Sequence, residues 1–162
     1  MELSKKTEEA LKWIVGILNK HNIVFRISGG FAAKIYGSNR ELADIDIGIK
    51  EDEFAKILSE IEPFLVDGEP GHYKDDEWDL LGARINYGGQ FIDLCVIDSL
   101  RFFSKRDAKW DKIPFDPKTF TWHDVCGIKI PIIAKKDLIE YKDNLRREVD
   151  LFDIDEMLKH KN

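Results

Sequence analysis

The sequence predicts an α/β (α+β) fold, because short apolar runs suited to strands alternate with amphipathic helical stretches, a Gly-Gly pair separates two strand-like runs, and the chain ends in a helical pattern. Ser4 to His21 opens with Leu11, Ile14, Val15 and Leu18 at helical spacing among Lys and Glu, a face for packing. Ile23 to Ile27 reads as a buried strand, Phe31 to Tyr36 as a short helix ended by Gly37-Ser38-Asn39, and Ala43 to Ile49 as a second strand. Glu51 to Ile61 places Phe54, Ile57, Leu58 and Ile61 on one helical face, and Pro63 helps to end it. From Pro70 to Asp79 the chain is charged and irregular, an exposed connection with a short strand at His72 to Lys74. Leu80 to Tyr87 and Phe91 to Ile97 flank Gly88-Gly89, a hairpin signal. Between Leu100 and His123 aromatics, Pro114 and Pro117 indicate loop or short strands covering a sheet. Gly127 to Ile133 is a last strand, followed by helices at Ala134 to Leu145 and Leu151 to Lys159, the latter with Leu151, Ile154, Met157 and Leu158 as its apolar stripe.

At 162 residues the chain fits one domain, 1–162, with 134–162 as its helical C-terminal part. The net charge of -6 argues against generic binding along a nucleic-acid backbone, while leaving room for a local basic groove that holds a polyphosphate or an RNA end. Cys95 and Cys126 are too few and too far apart for a zinc pattern and read as buried thiols. The charged start and the lack of a long apolar stretch predict a cytoplasmic protein with no membrane partner.

The chemistry concentrates in two motifs. Asp44 and Asp46, two residues apart on one strand, point to the same face and can grip a cation between them, while Ile45 and Ile47 face the core. Upstream, an apolar run ends at Ser28-Gly29-Gly30, where glycines at a strand-to-helix turn let backbone amides approach a phosphate. Asp93 is the only charged residue of Phe91 to Ile97, and a carboxylate there needs a counter-charge, a metal or good hydrogen bonds. Asp98, on the opposite face, reads as a cap or turn residue. Three convergent carboxylates would suit Mg²⁺, with a second ion nearby able to polarise a hydroxyl, and Asp93 could orient or deprotonate that hydroxyl.

Gly29-Gly30, thirteen intervening residues, Asp44-Ile45-Asp46-Ile47 and a later strand carrying Asp93 resemble the signature of the nucleotidyltransferase (DNA polymerase beta-like) superfamily. The resemblance implies a small mixed sheet flanked by helices, Gly29 and Gly30 facing the nucleotide phosphates, and Asp44, Asp46 and Asp93 holding metal. Ser28 to Ala33, Arg40, and Ile130-Pro131 leading into a helix look especially like the small lincosamide and aminoglycoside adenylyltransferases. Phe31 replaces a tryptophan often seen in them, and Gly37 to Arg40 departs from their usual connection. The activity implied is Mg²⁺-dependent transfer of a nucleoside monophosphate, AMP from ATP first among the NTPs, to a hydroxyl of a small acceptor such as an antibiotic. Toxin-like relatives with RNA or protein as the acceptor, and a non-catalytic nucleotide-binding module, share the motifs. A homodimer that closes the acceptor pocket is compatible with the chain length.

Accessory residues each carry two readings. Arg40 clamps a phosphate or is a solvated turn residue, and Ser28 donates to a phosphate or satisfies its own turn. Lys142 is given phosphate contact by the resemblance, against an ordinary surface lysine. Arg146 and Arg147 pair with Glu148 and Asp150, as charged helix ends do. Trp78 and Tyr87 flank the expected entrance, stacking on a base or packing at the rim. None of His21, His72, His123 and His160 has metal-ligand spacing.

Overall fold

In the computed structural model, which describes residues 1–160, helices α1 (Lys5–Lys20), α2 (Gly29–Ile35), α3 (Glu51–Ile61), α4 (Lys135–Leu145) and α5 (Glu148–Lys159) accompany a mixed sheet. The last two residues of the expected 134–162 tail lie outside the described residues. The strands are β1 (Phe25–Ser28), β2 (Asp44–Ile49), β3 (Gly71–Lys74), β4 (Trp78–Tyr87), β5 (Gln90–Val96), β6 (Arg101–Ser104), β7 (Lys109–Asp111), β8 (Thr121–Val125) and β9 (Ile128–Ile132). Their order across the sheet is β7-β6-β4-β5-β2-β1-β9-β8, with β3 paired to β4.

Local chemistry explains the element ends. Ser4 caps α1 by accepting from the Thr7 amide at 3.3 Å, and Asp98 accepts from the Glu51 amide at the start of α3, the cap role expected of it. Pro63 sits inside a 3-10 turn, Glu62–Phe64, that follows α3 directly. Gly88 and Gly89 both have positive φ and close the β4–β5 hairpin as the Gly-Gly pair predicts. A second hairpin, β8–β9, turns at Cys126 and Gly127, also with positive φ (50° and 79°). β8 begins inside the stretch that the prolines mark as loop or short strands, and its turn is hidden in the sequence because cysteine rarely occupies the first of two left-handed positions.

The alternation along β2 divides the sheet into a packing face and a working face. Ile45, Ile47 and Ile49, with Ile92, Leu94 and Val96 of β5, are buried, and α1 and α3 belong to the same hydrophobic core. Asp44, Asp46 and Gly48 take the other side of the strand.

The α5 stripe is corrected by the structure. Its buried face is Asp150, Asp153 and Met157, whereas Leu151 and Leu158 are 51% and 64% exposed. The inward face is chosen by charge: Asp150 and Asp153 turn in to meet cations of α4 and of the α2–β2 connection. Among the described residues no helix is long and apolar enough to cross a membrane.

Candidate active site

Strand register assembles the site. On the working face one row crosses four strands: Ser28 of β1 pairs with Asp46 of β2, Asp46 with Asp93 of β5, and Asp93 with Arg84 of β4. Asp44 stands one two-residue step along β2 from Asp46, on the same face. One carboxylate oxygen from each of Asp44, Asp46 and Asp93 lies within 4.8 Å of the other two. Oxygen donors gathered at this spacing, without histidine or cysteine, are the ligand set of a hard divalent cation.

Asp46 and Asp93 are both raised. Burial, then the charges of Asp44 and Asp93, push Asp46 up to about 7, against the opposing pull of Lys142 and Arg147. Burial and Asp44 push Asp93 up to about 6, with Arg84 opposing. Arg84, which sequence reasoning did not single out, lies 3.2 Å from Asp93 and 3.7 Å from Asp44 and stacks on Phe91 at 4.6 Å. Its only sequence signal is its place in the hairpin opposite Asp93, which emerges once the Gly88-Gly89 register is fixed.

The two glycines serve the side chains around them. Gly29 has φ +61°, and a β-carbon there would lie 1.7 Å from Asp46 Oδ2. One at Gly30 would lie 2.3 Å from Arg40 Nη2. Their missing side chains therefore make room for the Asp46 carboxylate and for the arginine. Ser28, at the head of α2, makes no side-chain capping bond and faces the cavity.

A cavity of about 770 Å³ opens over this row. The C-terminal helices contribute to its wall: Tyr141, Lys142 and Arg147 line it together with Arg40. Asp153 accepts from Ser38 Oγ at 2.6 Å and Arg40 Nε at 2.8 Å, and lies 2.8 Å from Lys142 Nζ. Asp150 accepts from Lys142 at 2.9 Å and Arg147 Nε at 2.7 Å. Burial raises the pKa of both aspartates, but these partners win and hold them below the usual carboxylate range. Three cations against two carboxylates leave one positive charge in excess in the wall of the cavity that the acids also line.

Arg40 is thus no solvated turn residue. Lys142, expected to touch phosphate, is 2% exposed and its ammonium is engaged by both aspartates. Arg147 pairs with Asp150, as expected, and lies 5.6 Å over Trp78, which lines the cavity. Tyr87 does not reach it: it stacks on Trp13 at 4.3 Å and packs against Phe64. Arg146 instead adopts the left-handed conformation (φ 53°) that ends α4. Sequence reasoning missed Asp153 entirely; its signal is the three-residue step from Asp150, the spacing of one helix face.

Neither a protein-family model nor a curated protein matches the chain. Solved structures do. A Thermotoga maritima protein assigned to the nucleotidyltransferases is similar over 99% of this chain and 97% of its own, at 17% identity and a TM-score of 0.73. The lincosamide antibiotic adenylyltransferase LnuA, solved with lincomycin bound, is similar over 99% of this chain and all of its own, at 15% identity and a TM-score of 0.64. ANT(2")-Ia, solved with adenylyl-2"-tobramycin, is similar over 94% of this chain and 88% of its own, at 11% identity and a TM-score of 0.58.

Proposed function

We propose, from the nucleotidyltransferase fold that this chain adopts, that it transfers a nucleoside monophosphate from an NTP, with ATP the first candidate, to a hydroxyl of a small acceptor and releases pyrophosphate. The observation that carries this reading is the convergence of Asp44, Asp46 and Asp93 in one cavity that Arg40, Lys142 and Arg147 also line. The cavity is large enough for a nucleotide beside a small acceptor.

The triad fits a divalent cation such as Mg²⁺, which when bound would offset triphosphate charge and acidify an acceptor hydroxyl. Arg40 and Arg147, held rigidly by Asp153 and Asp150, orient the phosphates, and Lys142 adds its charge from behind them. Asp93, with a pKa lifted to about 6, takes the proton of the acceptor hydroxyl as its oxygen bonds to the α-phosphorus and the bond to pyrophosphate breaks. Trp78, braced by Arg147, offers a face for the base or for an apolar part of the acceptor.

The test is incubation of the protein with Mg²⁺, NTPs labelled at the α-phosphate and a panel of small hydroxyl compounds. Label should move to an acceptor with release of pyrophosphate, and Asp44→Ala should abolish both. A wild-type protein that binds no NTP with Mg²⁺ and labels nothing in the panel refutes the reading.

A further inference from the structure

Next to the acidic row lies a row of small residues that ends in an arginine. The strand pairing aligns Arg26 of β1, Gly48 of β2, Cys95 of β5 and Gly82 of β4, each two residues from Ser28, Asp46, Asp93 and Arg84 and therefore on the same face. The cavity runs down onto this floor and is walled there by the apolar side chains of Ile97, Leu100 and Ile113. At the β1 end of the row stands Arg26, which also lines the cavity.

Arg26 is an unusual wall. It is 3% exposed, yet among the described residues it makes no ion pair. Of five N–H donors, one reaches the Pro114 carbonyl, and Nε has no hydrogen-bond partner at all. The guanidinium carbon lies 5.3 Å and 5.7 Å from the ring centroids of Phe115 and Phe120, which pack edge-to-face against each other and brace it from one side. Burial pulls its pKa down to about 10, the mark of a charge that lacks an anion, although Asp137 at longer range works the other way. A buried guanidinium ordinarily has a carboxylate beside it, and here the space beside it is cavity.

We propose that Arg26 receives a carboxylate of the acceptor, so that the substrate is a hydroxy acid whose acidic end pairs with Arg26 while its hydroxyl reaches Asp93. The rows are one two-residue strand step apart, about 6.7 Å, and β1 and β5 lie two strands, about 9.6 Å, apart, so the two groups belong at well-separated ends of the acceptor. Gly48, Cys95 and Gly82 line the cavity, with Ile97 and Phe115 packed over Gly48 and Leu80 beside Gly82, so the acceptor is bordered there by apolar side chains. A planar guanidinium matches a carboxylate through paired hydrogen bonds. The proposal rests on the transferase reading for the role of the bound hydroxyl, but binding at Arg26 is measurable without ATP.

The probes are para-hydroxybenzoate and para-hydroxybenzamide, which differ only in the charge at one end. In full-length protein carrying isotope-labelled arginine, para-hydroxybenzoate should bind at least about 10-fold more tightly than the amide and move the Arg26 Nε–H resonance, identified by its absence from Arg26→Lys. Arg26→Gln should bring the two probes within about 2-fold, and Arg26→Lys should keep part of the preference. Equal affinity for the two probes, a stationary Arg26 resonance, or no binding of the acid up to about 10 mM overturns the proposal. So does Arg26→Gln that loses thermal stability but keeps the preference, which would make Arg26 a tether for Pro114 only. The wild-type resonance gives the answer even if Arg26→Gln does not fold. A protein that holds the benzoate at Arg26 yet neither binds NTP nor releases pyrophosphate rejects the transferase reading alone; one that labels amide and acid acceptors alike keeps that reading and rejects Arg26 as the anchor.

Discussion

Replacing Gly29 with alanine tests how tightly the turn and the acids are fitted. The new β-carbon would lie 1.7 Å from Asp46 Oδ2, whereas a carbon and an oxygen in contact sit about 3.3 Å apart, so the carboxylate must retreat by about 1.6 Å. Misplacement of about 1 Å at a reacting centre costs about 100-fold in rate, so transfer should fall by at least that factor. The backbone adds a second penalty: φ is +61°, and a non-glycine residue there costs about 1–2 kcal/mol. In a chain of this length that lowers Tm by about 2–8 °C. The measurements are pyrophosphate release under saturating Mg²⁺ and ATP, Mn²⁺ affinity by calorimetry, and a thermal melt. Gly16→Ala is the control, since that position sits in α1 with nothing within 4 Å of an added β-carbon and should gain about 0.5–1 kcal/mol. A Gly29→Ala protein that binds Mn²⁺ and turns over within about 3-fold of wild type would refute the argument that this glycine exists to admit Asp46.

Three further outcomes follow from the same geometry. Asp46 at about 7 and Asp93 at about 6 must lose protons to ligate, so Mn²⁺ affinity should climb between about pH 5 and 8; both values exceed the unfolded ones, so the metal-free protein should lose stability as pH rises from about 4 through about 7, and Asp46→Asn should melt a few degrees higher at pH 8 while binding metal far more weakly. A pH-independent Mn²⁺ titration would contradict this. Lys142→Met removes the cation shared by Asp150 and Asp153 and leaves buried charge behind, which should cost about 3–5 kcal/mol and about 10 °C in Tm, read by thermal and urea melts; a melt unchanged from wild type would show the network to be slack. On α5, Met157→Ala should cost about 2–5 kcal/mol and Leu158→Ala under about 0.5 kcal/mol, and the reverse ranking in urea titrations would mean that the side carrying Leu151 and Leu158, not the one carrying Asp150, Asp153 and Met157, faces inward.

Much of this protein is legible in short stretches of its sequence. The Asp-x-Asp spacing puts two carboxylates on one face of β2 because strand side chains alternate, and the Gly88-Gly89 turn registers β5 against β4. The glycine pair at 29 and 30 marks the strand-to-helix turn, although the reason for it differs: these residues yield space to Asp46 and Arg40. What only the tertiary structure decided is which distant side chains share a buried volume. Arg84 reaches Asp93 and Asp44 through strand pairing, and Arg40, Lys142 and Arg147 meet around Asp150 and Asp153 because α5 turns a charged face inward against its own apolar periodicity. Periodicity counts apolar residues along one helix, but burial is settled by the partners across the interface. Three cations already committed to the cavity wall made two aspartates the better inward face, and no local pattern carries that information.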